Sequence, residues 1–166
     1  MRRAGILVAA LSAACAGPGL KSDWEEKHES QLPPPEEALA LPAYPREPQL
    51  IEFFVAATSE FRFFVDAASV SVGDDGIVRY TLVARSSAGA QNVSFEGMRC
   101  ATQEVRLYAV GRDGGWVQRP GQWRPIEARS VQRWHNALYR EYFCPNKQPL
   151  LSRQEGINSL RRGGPR

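Results

Sequence analysis

Few side chains in this 166-residue sequence have the types and spacing to do chemistry. There are two histidines, His28 and His135, and three cysteines, Cys15, Cys100 and Cys144. A histidine acts as acid, base or ligand only with partners arranged around it. His28 sits in an acidic stretch. His135 stands beside Trp134 on a predicted helix, where a half-buried or wet structural role accounts for it. Asp66 and Ser69 make a D-x-x-S, and a serine–aspartate pair could serve hydrolysis, but a triad needs a histidine to complete it. The sequence places none there, and an Asx or Ser turn between two strands explains the same residues. There is no G-x-S-x-G, no H-E-x-x-H and no glycine-rich phosphate loop. Asn92-Val93-Ser94 matches a glycosylation sequon inside a predicted strand, an accident of composition. These residues lead us to expect a non-catalytic binding or interaction protein with no cofactor and no metal; a small hydrolase using Asp66 or His135, or a purely structural envelope protein, is the alternative.

The cysteines carry more. Neither Cys100 nor Cys144 has a second cysteine or a histidine at ligand spacing, so a structural disulfide is favoured over a metal ligand or a catalytic thiol. Cys15 follows an Arg2–Arg3 pair and an apolar run from Ala4 to Ala14, too short for the roughly 20 residues that span a bilayer. This is the layout of a secretory signal peptide over residues 1–16. Ser12-Ala13-Ala14-Cys15 resembles a bacterial lipobox, in which Cys15 would be lipidated; Leu11 sits one place too early and Ser12 occupies the usual leucine position. Ala14-Cys15-Ala16 also fits an ordinary A-x-A cleavage site. The expectation is an exported protein on the periplasmic side of the envelope, tied to the membrane through Cys15. Alanine after that cysteine points to the outer membrane, by resemblance to enteric sorting rules.

The net charge is +3, and loss of Arg2 and Arg3 leaves 19 basic against 18 acidic residues. A near-neutral body argues against nucleic-acid binding. Residues 17–48 read as an acidic, proline-rich linker, with Pro33, Pro34, Pro35, Pro42, Pro45 and Pro48, extended enough to hold a domain off a membrane. Residues 146–166, with five basic residues and one acid, read as a mostly disordered tail.

Residues 49–145 must then position whatever chemistry exists. Leu50 to Val55, Arg62 to Asp66 and Ser69 to Val72 are strand candidates, and Asp74-Asp75-Gly76 signals a hairpin. In Ile77 to Arg85, Val78, Tyr80, Leu82 and Ala84 share one face, leaving Arg79, Thr81 and Arg85 on a wet one. Ala90 to Cys100 and Glu104 to Gly111 continue the sheet. Val131, Trp134, Leu138 and Tyr142 recur at helical spacing behind a Ser130 cap, and Pro145 stops that helix. The fold class is α+β, a twisted antiparallel β-sheet with one C-terminal helix packed across it. Arg79, Arg85, Arg99 and Arg106 all fall on strands; on one wet face they would form a guanidinium stripe for an envelope or surface partner carrying carboxylate or phosphate. Glu96 and Glu104 could equally neutralise them as cross-strand pairs. Trp116, Trp123 and Trp134 read as core.

Four blocks carry a family likeness: FFVDAASVSVGDDGIVRYTLVARS from Phe63, NVSFEGMRC ending at Cys100, WRPI from Trp123, and HNALYREYFC ending at Cys144. In their order, and in the DWEEK of the spacer, the chain resembles the cryptic neisserial protein-like (CNP-like) family. That resemblance implies an exported, largely lipid-anchored Gram-negative protein with no established activity, and it transfers no functional residue. A more distant likeness, of fold only, is to surface-adhesin protein E domains.

Overall fold

Alternation from Ile77 to Ser86 builds the central strand of the molecule. A computed structural model describes Glu36, residues 39–128 and residues 133–163, all within one compact unit running from Pro34 to Arg166. The leader with Cys15, the linker up to residue 35, His28, Ser130 and Val131 lie outside the described residues. Seven strands form one antiparallel sheet: β1 (Leu50–Phe53), β2 (Phe61–Val72), β3 (Ile77–Ser86), β4 (Gln91–Arg99), β5 (Glu104–Arg112), β6 (Gly115–Gln118) and β7 (Arg124–Pro125). The first six are neighbours in chain order, and β7 adds to β5 beyond the end of β6. Tight turns make this meander possible: Gly76, Gly89 and Gly114 hold the positive φ their turns require. The fold is therefore the expected antiparallel sheet with a C-terminal helix across it.

Asp66-x-x-Ser69 does not separate two strands. It is a bulge within the single long β2, where the register slips between Asp66 and Ser71. Asp66 Oδ1 accepts from the Ala68 N–H, and the Ser69 hydroxyl donates to the Asp66 carbonyl and accepts from the Thr81 N–H. The two side chains thus supply hydrogen bonds that the bulged backbone lacks.

One face of the sheet carries the main core. Phe63, Val65, Val78, Tyr80, Leu82, Met98 and Val105 meet Leu138, Tyr139, Tyr142 and Phe143 of the helical layer. That layer begins as helix α1 (Arg133–Ala137) and continues as a π-helix, Leu138–Phe143. Leu138, Tyr139, Tyr142 and Phe143 all face inward, as two pairs four residues apart on one side of the segment. The Cys144 N–H closes the segment onto the Tyr139 carbonyl.

The other face is not wet, contrary to the expectation from β3. Thr81 is fully buried and Arg79 is 6% exposed. The end of the supposed linker covers them. Leu41 packs on Phe95, Tyr108 and Ala109; Tyr44 packs on Phe64, Val83 and Val93; the Trp116 indole donates to the Pro42 carbonyl at 2.9 Å. Gly111 allows this cover, since a Cβ there would lie 2.7 Å from the Tyr44 hydroxyl, and Gly97 makes room for the Tyr108 ring. Residues 39–46 are therefore part of the domain, because the second face of the sheet offers them apolar surface to bury.

The basic tail is corrected too. Helix α2 (Arg153–Arg162) follows a Ser152 cap that accepts from the Glu155 N–H, and it ends at Gly163 in the left-handed conformation. Leu150, Ile157 and Leu160 are buried, and Gly156 lets the helix approach Leu150 and Val70. The few apolar residues of this segment suffice because β1 and β2 provide the surface they cover.

Candidate functional site

Tyr80 and Glu96 stand opposite each other on β3 and β4, on the face that α1 crosses. The Tyr80 hydroxyl donates to Glu96 Oε2 at 3.0 Å, and the Ser94 hydroxyl donates to Oε1 at 2.7 Å. From α1, His135 Nε2 lies 2.8 Å from Oε2. The carboxylate thus holds three donors from three elements, all under the helix; Glu96 and His135 are 6% and 5% exposed. Burial alone would raise the Glu96 pKa, but the His135 charge and the bonds from His135, Ser94 and Tyr80 outweigh it and hold the group below the ordinary carboxylate range. Burial pushes the Tyr80 phenol well up, and the Glu96 charge adds to this, so Tyr80 remains a donor.

This network borders a cleft of about 350 Å³ on the same face. Asn92, Ser94, Leu107 and Val110 line its sheet side, Trp134 and His135 its helix side, and Arg112 and Arg124 stand at its exposed margins. Trp134 is held between Phe63, stacked at 5.2 Å, and His135 at 5.4 Å.

Chemically the order of contacts matters. Ser94 bonds to the carboxylate, not to the imidazole, and a carboxylate of lowered pKa is a weak base toward a hydroxyl. Asp66 takes no part: it is opposite Thr81, one residue from Tyr80 and so on the other face. Burial raises the Asp66 pKa, partly offset by the Ala68 N–H and by Arg153. Among the described residues, no group of three or more His, Cys, Asp or Glu is placed to hold a metal ion.

The four arginines singled out in the sequence do share one face, the one under Glu36 and residues 39–46. Each meets an acid of the same chain: Arg79 meets Asp75 at 2.5 Å and Glu36 at 3.9 Å, Arg85 meets Glu47 at 2.5 Å, Arg99 meets Glu104 at 3.4 Å, and Arg106 meets Glu36 at 2.6 Å. The Tyr108 hydroxyl donates to Glu36 as well, so one carboxylate ties the start of the covering segment to the sheet. Arg99 also lies over the Trp123 ring at 4.2 Å, and Arg85 over Phe64 at 5.0 Å. Glu104 is one of the two neutralising acids the sequence suggested; Glu96, the other, points to the opposite face. A partner for this stripe would have to displace those acids.

Cys100 and Cys144 are joined by a disulfide, with Cα atoms 5.3 Å apart. The bridge ties the residue after β4 to the end of the π-helix. Cys15 lies outside the described residues, as does any test of its lipidation. Among the described residues, no helix is long and apolar enough to cross a membrane.

Sequence reasoning missed the Glu96 network, and with it Arg112 and Arg124. Residues 80, 94, 96 and 135 form no local pattern; only strand register and helix docking bring them together.

The chain matches the CNP1-like family over residues 21–161, a span that takes in the covering segment, the sheet and nearly all of α2. It belongs to that family. No curated protein and no solved structure matches it. The matched span ends one residue before α2 does, so the CNP1-like unit extends past the boundary at residue 145 that the sequence suggested.

Proposed function

We propose that this CNP1-like protein is a cell-envelope lipoprotein whose folded domain binds a ligand or partner without transforming it. The observation that carries this reading is the use made of Glu96. Its carboxylate takes the hydroxyls of Ser94 and Tyr80 and the imidazole of His135, so the groups most able to do acid–base work hold helix to sheet instead. Among the described residues of the cleft no serine hydroxyl bonds to an imidazole, the contact that a serine nucleophile would need. A serine-directed fluorophosphonate probe tests the point: the full chain is expected to remain unlabelled at Ser94. Covalent labelling of Ser94 that disappears in His135→Gln would replace this reading with a hydrolase.

Anchoring rests on the leader, whose charged pair, short apolar run and small residues before Cys15 support export. The mass of the mature N-terminus is expected to show an acylated Cys15, and Cys15→Ser is expected to leave the membrane fraction while staying folded. An unmodified N-terminus at Gly17 would mean ordinary cleavage and a soluble periplasmic protein.

A further inference from the structure

The cleft beside Glu96 is rich in hydrogen-bond donors and short of acceptors. Arg112 and Arg124 lie at its exposed margins, on the same face of β5 and β7 and on either side of Leu107 and Val110. Neither has an ion pair or hydrogen-bonded side-chain partner among the described residues, unlike the four arginines of the opposite face. Trp134 contributes wall rather than a donor, since its indole N–H is shut off from solvent. Asn92 adds an amide at the exposed end. The charged acceptor bordering the cleft, the Glu96 carboxylate, is already held by three donors, one of them His135. Two unpaired guanidinium groups with an apolar strip between them suit a compact molecule with oxygen acceptors at its ends. The volume, about 350 Å³, is at the small end of the range for small-molecule sites.

We infer that this cleft binds a small anion bearing carboxylate or phosphate groups, held by Arg112 and Arg124 against the Trp134 wall. The site rests on the reading of the domain as a binding module and names its ligand chemistry. Its acceptors could come from a free solute or from a lipid headgroup at the membrane surface, and both present the same oxygens to the guanidinium groups.

The test is a titration of the full chain at constant ionic strength, followed through the Trp134 indole resonance, which Trp134→Phe assigns. Citrate, inorganic phosphate and phosphatidylglycerol vesicles are the probes, with glucose and phosphatidylcholine vesicles as neutral counterparts. At least one anionic probe is expected to move that resonance saturably. Arg112→Gln with Arg124→Gln is expected to weaken the binding roughly tenfold or more, since each lost bond is a charge-assisted one. Arg119→Gln, an exposed arginine outside the cleft, is expected to leave it unchanged. Response to vesicles alone assigns the ligand to a headgroup; response to citrate or phosphate assigns it to a solute. No saturation below about 10 mM with any anionic probe, or equal affinity in the double variant, overturns the site. Such a failure leaves the Ser94 probe result, and with it the non-catalytic reading, standing.

Discussion

Replacing Cys100 and Cys144 together by alanine is expected to lower the unfolding free energy by about 4 kcal/mol. The bridge closes a loop across 44 positions, and the loss of that constraint on the unfolded chain gives this figure in the chain-entropy account. Both cysteines are buried, in the cluster that includes Phe143, Leu138 and Met98, so alanine also leaves small gaps that add to the loss. Such a change is a large share of the roughly 5–15 kcal/mol that holds an ordinary domain together. Chemical denaturation of the oxidised protein, the reduced protein and the double variant checks it. Reduced protein and double variant should both fall well below the oxidised form. A double variant within about 1 kcal/mol of the oxidised protein would mean that helix packing alone holds this end of the molecule. Quantitative thiol labelling of the native chain gives an independent check, since neither Cys100 nor Cys144 should react.

Glu96→Leu is expected to cost about 3–5 kcal/mol, the usual result of removing one member of a buried, hydrogen-bonded charge cluster. Three donors, from Ser94, Tyr80 and His135, would lose their acceptor under the helix. His135→Leu should also destabilise, because it removes the group that most helps to hold the Glu96 charge. The double variant should cost less than the two single losses added together, by about 1–3 kcal/mol, because the residues act as a unit. The pH dependence has a definite sign. The folded pKa of Glu96 lies below its ordinary 4.5, so its contribution is full above that value and is lost as the pH falls through the folded pKa. The stability gap between wild type and Glu96→Gln should therefore close in acid. Additive single losses, or a gap that widens in acid, would show that the carboxylate is not held by these partners.

The two sides of the sheet were unequally legible. The apolar face could be read from β3 directly: Val78, Tyr80, Leu82 and Ala84 recur at period two and all lie in the main core. The same alternation assigned Arg79 and Thr81 to water, because a strand's own pattern does not record what packs over it. Their cover comes from Glu36 and residues 39–46, whose acid and prolines resemble those of a linker. Helix α2 did leave a local signal. Ser152 and Glu155 stand three apart; Ser152 accepts from the Glu155 N–H, and the Glu155 side chain accepts from the Leu151 N–H. Charge and the scarcity of apolar residues masked it, although Leu150, Ile157 and Leu160 are enough to dock one helix.

The sequence by itself determined β1, β3, β4 and β5, the hairpin turn at Asp74-Asp75-Gly76, the pairing of Cys100 with Cys144 and the family. Each depends on spacing along the chain or on a choice among very few residues. Tertiary structure alone decided the destination of the charges. Glu36 reaches Arg106 across 70 positions and Glu96 reaches His135 across 39. A charge interacts with whatever lies within a few ångströms, and over such separations that neighbour is fixed by strand register and helix docking, not by order in the chain. The seven arginines of the sheet divide on the same ground, Arg62 pairing with Glu52 of the neighbouring strand. Arg79, Arg85, Arg99 and Arg106 meet acids on the covered face, while Arg112 and Arg124, of the same residue type and on the same strands or their neighbours, have no ion-pair partner among the described residues beside the cleft.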